Sequence, residues 1–259
     1  MVSIKNLINN PIISIILIIL LFFIIGTPGE YIEEYFSIPG AIIDIILSIF
    51  LLFLYSYLFH FDSFFKLENM KIGLILLIPM FIYYIIEFIA DPVISFSGFS
   101  NINLFISIIG AGIIEEVFFR GILVSHLMKI LDSKYKIYIV AILSAGIFAL
   151  LHFINYNGSN LAITTIQVIS AFNFILLAAV YLRTGNLWLT IMIHVLNNFL
   201  AFLNPANLGP GGEMVGAVTW VLYLDVVLSI ILVIIGLYYI RSSKHKEIND
   251  LWDKKWSNS

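Results

Sequence analysis

Apolar residues run through this chain in long blocks, each closed by a short cluster of glycine, proline, asparagine or acidic residues. The blocks fall at roughly 9–26, 40–60, 72–90, 101–128, 137–155, 161–182, 186–203 and 214–240. A helix needs about 20 mostly apolar residues to cross a bilayer core, where every backbone amide must be satisfied within its own segment. The pattern therefore predicts an all-α bundle of about eight transmembrane helices. The breaker clusters between blocks include Gly26-Thr27-Pro28-Gly29, Asp91-Pro92, Asn155-Tyr156-Asn157-Gly158, Asn204-Pro205 and Gly209-Pro210-Gly211-Gly212. No linker is long enough for a soluble domain and no internal repeat is evident. Residues 1–259 thus read as a single transmembrane domain that ends in a basic tail over 241–259.

Composition points the same way. Hydrophobic residues make up 61% of the chain and charged residues 11%, against roughly a quarter charged in ordinary soluble domains. A soluble domain this apolar would have too little polar surface to face water. The net charge of -3 is too small to suggest a nucleic-acid partner. Cysteine is absent, which excludes a disulfide framework, a thiol nucleophile and a cysteine-ligated metal. The first block follows Lys5 and invites comparison with a signal peptide, but it closes at Gly26-Thr27-Pro28-Gly29 without a small-x-small cleavage pattern. A retained helix is expected. Richness in Ile, Asn and Lys fits an AT-rich microbial genome, so the expected location is the cell membrane of a prokaryote.

Charge sets the expected orientation. With an even number of spans both termini share one side, and Lys5, Arg241, Lys244, Lys246, Lys254 and Lys255 mark that side. Its loops carry Lys66, Lys71, Lys129, Lys134, Lys136 and Arg183. The opposite loops hold Glu30, Glu33, Glu34, Asp91 and Glu213, and no Lys or Arg. Of 13 basic residues, 12 fall on one side, and Arg120 lies within a span. By the positive-inside rule that side, with both termini, is cytoplasmic.

An ionisable group inside a bilayer is costly and normally functional. The fourth block reads Gly110-Ala-Gly-Ile-Ile-Glu-Glu-Val-Phe-Phe-Arg-Gly121, with Glu115, Glu116 and Arg120 flanked by apolar residues. Glu116 and Arg120 stand four apart, on one helical face, and can form an ion pair. Glu115 points about 100° away and has no partner within its own turn. It is the expected general base, with Arg120 neutralising Glu116. Glycines at 110, 112 and 121 would let neighbouring helices approach closely. The alternative is a structural ion pair with a spare carboxylate facing a water-filled pore.

Two further blocks carry polar groups at matching spacing: Phe148 with His152 in the fifth, and His194 with Asn198 in the seventh. A lone His in a span is as often a packing residue as a functional one. Three spans presenting such groups together supply what amide hydrolysis needs. A carboxylate and an imidazole can polarise water, while a second imidazole and a carboxamide can donate to an oxyanion. At about 1.5 Å of rise per residue, Glu115 and His152 lie roughly 20–25 Å from the cytoplasmic ends of their spans. By the same rise Asn198 lies roughly 15–20 Å in and His194 roughly 10–12 Å, which leaves His194 shallow unless the seventh helix starts earlier or tilts.

The three motifs resemble those of the CPBP family, the CAAX proteases and bacteriocin-processing enzymes also called the Abi family. They are Glu115-Glu116-Val-Phe-Phe-Arg120, Phe148-Ala-Leu-Leu-His152 and His194-Val-Leu-Asn-Asn198, in order and in the expected spans, the fourth, fifth and seventh. Each is a weak pattern alone; together they are specific. The resemblance covers about residues 100–200 and implies a type II CAAX prenyl endopeptidase-like intramembrane protease. It implies that Glu115 and His152 activate water, that His194 and Asn198 stabilise the oxyanion, and that Glu116, Arg120 and Phe148 support the site. Family members carry both metalloprotease and metal-free glutamate readings. Zinc held by Glu115, His152 and His194 with an open position is one possibility, but the His-Glu-x-x-His helix is absent. The metal-free reading is favoured. The implied substrate is a membrane-embedded or lipidated peptide or protein, either a prenylated CAAX protein or a bacteriocin or signal-peptide precursor.

Glu87, Asn173 and Asp225 are expected to hydrogen-bond neighbouring helices more than to line a cavity. Asp44 and His60 are expected at the interfaces, and His126 in solvent. The tail from Lys244 to Trp256 is expected to be a solvated anchor near anionic headgroups. Two other classes compete with the protease. One is a non-catalytic bacteriocin-immunity or membrane binding protein. The other is a secondary transporter, which predicts inverted repeats with broken helices that the chain does not show.

Overall fold

The computed structural model describes residues 10, 12–21, 40–61, 63–90, 102–155, 161–203 and 220–257. Among them the regular structure is helical, and the protein is a multi-pass helical membrane bundle. The breaker clusters at 26–29, 91–92, 204–205 and 209–212, Lys5, and the acidic outer-loop residues lie outside the described residues.

The helices follow the apolar blocks. They are α1 (Ile12–Leu21) and α2 (Gly40–Phe59), then α3 (Met70–Ala90) and α4 (Ile102–Glu116). A π-helical segment, Val117–Val124, continues α4 into α5 (Ser125–Ile130). Next come α6 (Lys136–Leu151), α7 (Leu161–Ala171) and α8 (Ile175–Thr184). The chain closes with α9 (Leu187–Leu203), α10 (Trp220–Tyr239) and α11 (His245–Ser257). Five stretches are long and apolar enough to cross a membrane by themselves: Ile42–Phe59, Met70–Ala90, Lys136–Ile154, Leu161–Thr184 and Trp220–Tyr239. The element that carries Glu115, Glu116 and Arg120 is not one of them, and its α-helical part ends at Glu116 after 15 residues.

Four of the long blocks are not single α-helices: the third is interrupted at Leu77 and the fifth ends in a 3-10 turn, His152–Asn155. The fourth winds through the π segment, where hydrogen bonds reach five residues instead of four. The sixth is interrupted by a 3-10 turn at Phe172–Phe174 between α7 and α8. The core lies around α8, whose residues Ile175 to Leu182 are almost entirely buried. Lipid-facing Ile, Leu and Phe side chains on α2, α3 and α10 remain exposed, as expected of helices surrounded by hydrocarbon.

Three sequence expectations are corrected. The tail is not solvated: α11 docks against the bundle with Ile248, Trp252 and Lys255 buried. Its charged residues hid a buried stripe at i, i+4 and i+7, two apolar residues followed by Lys255. Trp252 Nε1 donates to the Leu182 carbonyl at 3.1 Å. His126 is buried rather than solvated, hydrogen-bonded through Nδ1 to the Tyr55 hydroxyl at 3.2 Å and set edge-on against Phe59. Helix α2 packs along α4 and the π segment, and its Tyr55 and Phe59 reach His126 at the start of α5. The third correction concerns His194 and its depth, taken up with the site.

The isolated polar residues behave as expected. Asp225 on α10 accepts hydrogen bonds from Tyr83 on α3 at 2.6 Å and from Ser170 on α7. Asn173 donates to the Ser229 hydroxyl at 3.2 Å. Such bonds between spans hold helices that have no hydrophobic drive to pair within lipid.

Candidate active site

The site assembles where α4 gives way to the π segment. Glu115 and Glu116 are the last two residues of α4, and Arg120 lies in the first turn of the wider winding. Arg120 Nη1 stands 2.9 Å from Glu116 Oε1, with both side chains fully buried. Its other terminal nitrogen donates to the Phe174 carbonyl at 3.1 Å, in the 3-10 turn of the sixth block. The guanidinium also sits over the rings of Phe148 and Phe174, 5.2 and 5.4 Å from their centroids. A charge buried in this way needs partners on all sides, and it has a carboxylate, a carbonyl and two aromatic faces.

His194 joins the pair from α9. Its Nδ1 is 2.8 Å from Glu116 Oε1, and its Nε2 is 3.1 Å from Glu115 Oε2. The two adjacent glutamates are therefore bridged by one imidazole. A neutral ring has one N–H and can donate to only one carboxylate. Donation to both requires an imidazolium; with a proton on one carboxyl, that carboxyl donates to the ring, which donates to the other. In either state Glu115, Glu116, Arg120 and His194 sum to zero charge, which suits a low-dielectric interior.

The depth arithmetic that left His194 shallow is overturned by this contact. It counted from the start of α9, as though that start lay at the membrane surface. The turn before α9 is instead buried, with Thr184, Asn186 and Leu187 fully covered. Helix α9 begins inside the protein, so His194 reaches the level of Glu115. The π segment adds to the error, since its wider turns advance less per residue than the assumed α rise.

His152 closes α6 at its junction with a 3-10 turn. Its Nδ1–H donates to the Phe148 carbonyl at 3.0 Å, which leaves Nε2 as the lone-pair nitrogen of the neutral ring. Phe148 packs edge-on against both His152 and His194, with centroids 4.8 and 5.6 Å apart. His152 thus reaches the site through Phe148, and among the described residues it makes no ion pair with Glu115. Asn198 lies one turn beyond His194 on α9, with its Nδ2 3.4 Å from where a Cβ on Gly112 would stand. Gly112 therefore keeps α4 and α9 close enough for Asn198 to reach the glutamate face.

The zinc alternative does not fit these side chains. Both His194 nitrogens face glutamate carboxylates, at 2.8 and 3.1 Å, which takes them from a metal. No group of three His, Asp or Glu side chains among the described residues is arranged to hold a metal ion.

Sequence reasoning missed Phe174, which supplies a carbonyl to Arg120 and a ring 4.6 Å from His194. It also missed Tyr84, whose hydroxyl donates to the Ile193 carbonyl at 3.2 Å, next to His194. Neither belongs to a motif. Their only signal was the position of Phe174 beside a polar residue, Asn173, in an apolar span.

Residues 97–200 match the family model described as Type II CAAX prenyl endopeptidase Rce1-like. That segment contains all three motifs, and over it the resemblance to the CAAX-type membrane proteases holds. No curated protein and no solved structure gave a match.

Proposed function

We propose that this protein is an intramembrane endopeptidase that hydrolyses a peptide bond in a membrane-associated substrate, a lipidated CAAX-type protein or a peptide precursor. The observation that carries the reading is a net-neutral set of Glu115, His194, Glu116 and Arg120 inside apolar helices. Within it Glu115 is the member left partly open, its side chain 30% exposed against 0% for Glu116. The family match to residues 97–200 supports the same class. The positive-inside distribution supports a cytoplasmic side for both termini, and the proposed substrate approaches from that side.

Each residue has a role in the proposed cycle. The Glu115 carboxylate takes a proton from water, with His152 Nε2 as the second acceptor holding that water. The hydroxide adds to the substrate carbonyl carbon and gives a tetrahedral oxyanion. Once protonated, Glu115 no longer attracts the His194 Nε2–H as an ionised partner. That N–H then turns to the oxyanion, together with Asn198 Nδ2. Glu115 returns its proton to the departing amide nitrogen as the C–N bond breaks. Glu116 and Arg120 stay charged throughout and hold the His194 ring by its Nδ1.

The test is comparison of membrane peptides from cells carrying wild type or Glu115→Ala. Peptides with new termini should appear only with wild type, and identical profiles would overturn the protease reading. Cleavage by purified protein should persist in a strong chelator, whereas its loss would restore the zinc alternative.

A further inference from the structure

Helix α11 touches the cytoplasmic end of every span that carries a site motif. On the α4–α5 rod, the Lys129 ammonium sits over the Trp256 ring at 4.1 Å. On α6, Tyr138 packs against the His245 ring at 5.1 Å. On α8, Leu182 receives the Trp252 indole N–H, and Arg183 pairs with Glu247 at 2.9 Å. At the turn into α9, Lys255 Nζ donates to the Gly185 carbonyl at 2.8 Å and to the Ser63 carbonyl at 2.5 Å.

The Lys255 contact is the tightest of these. Its side chain is buried, an unusual state for lysine unless its donors are satisfied. Gly185 has a left-handed φ of 63°, and a Cβ there would meet the Lys255 Cδ at 2.9 Å. Turn and lysine are fitted to one another. The next residue, Asn186, donates through Nδ2 to the Glu68 carbonyl, so both residues of the turn are tied to the 60–70 segment. From this fixed point α9 runs inward to His194 and Asn198.

We propose that Lys255 is a positioning residue of the active site, resting on the peptidase reading above. By binding the Gly185 and Ser63 carbonyls it sets where α9 begins, and so the register of His194 against Glu115. A rise of 1.5 Å per residue makes even a partial slip at the turn comparable with the hydrogen-bond tolerance at the site.

The experiment uses the full chain with Lys255→Met, which keeps the buried stem and removes the ammonium. The background lacks cysteine, so spin labels at Ile142→Cys and Met192→Cys, both facing outward, report the distance between α6 and α9. The expected result is a kcat reduced at least tenfold with KM within twofold, and a shifted or broadened label distance. An unchanged kcat with an unchanged distance overturns the proposal. So does a loss of labelled folded protein equal to that of a chain truncated before residue 245, since Lys255 would then be only a stabiliser. If wild type cleaves nothing, the peptidase reading has failed. The distance measurement then decides alone whether Lys255 sets the register of α9.

Discussion

His194 Nε2 lies 3.1 Å from Glu115 Oε2, so two helices far apart in the chain meet at one ionisable contact. The same ring holds Glu116 through its other nitrogen at 2.8 Å. Adjacent residues of identical type thus have different surroundings. Glu116 is locked between Arg120 and His194, while Glu115 has one such partner and an open side.

Substitution should separate the two glutamates. Glu115→Gln is expected to lower peptide cleavage by about 10²–10⁴-fold, the usual contribution of a general base. Its thermal midpoint in detergent should stay near wild type, because the side chain is partly exposed. Cleavage assays and melting curves on the same preparation check both halves.

Glu116→Gln should act mainly on stability. It leaves Arg120 buried without its carboxylate, and breaking a buried pair costs about 3–5 kcal/mol. Arg120→Met alone should cost a similar amount. The double variant is expected to lose less than the two single losses combined, a coupling that a double-mutant cycle of melting data reads directly.

Gly112→Ala tests the seam between α4 and α9. Its new Cβ would stand 3.1 Å from Val195 Cγ2 and 3.3 Å from the Val195 backbone nitrogen. Backbone cannot yield as a flexible side chain does, so the helices must part by a few tenths of an ångström. Since misplacement by about 1 Å can cost 10²-fold, roughly a tenfold loss of kcat is expected. Gly112→Val should be worse, and full activity in both would show that the seam tolerates separation.

The docked α11 should loosen in acid. Hydrogen bonding from Lys244 holds the Glu247 carboxyl below its ordinary range against the opposing effect of burial, with the Arg183 hydrogen bond and the Arg183 and Lys244 charges adding to it. A depressed folded value means the stabilisation is present above the ordinary carboxylate range. It is lost as pH falls through the folded value. The Glu247 side chain is 47% exposed, so the effect is expected to be below about 1 kcal/mol. Tryptophan fluorescence from Trp252 and Trp256 on acid titration should report it, and Glu247→Gln should flatten the change.

Much of this was legible in spacing alone. Four-residue intervals identified the Glu116–Arg120 pair and set Phe148 beside His152, because such intervals are neighbours on any helix. The bridge through His194 was not legible, since it depends on where α9 starts relative to α4. That start is set by Lys255, about seventy positions further on. The π segment was hidden too: Val117, Phe118 and Phe119 look like any apolar helix, and its winding reflects packing. In α11 the stripe Ile248, Trp252, Lys255 was present, but a lysine on the buried side reads as solvent-facing until its carbonyl partners are known.

The zero-sum cluster has a consequence for how the protein enters the membrane. A charged side chain at a helix centre costs about 3 kcal/mol on insertion, and the α4 rod carries three within six positions. Left alone in lipid, that rod would be a poor candidate for retention. Its counter-charge and hydrogen-bond partners come from α9 and the turn at Phe174, both synthesised later. Biogenesis should therefore hold the α4 rod at the translocon until those later spans arrive, so that insertion of this span and construction of the site happen together.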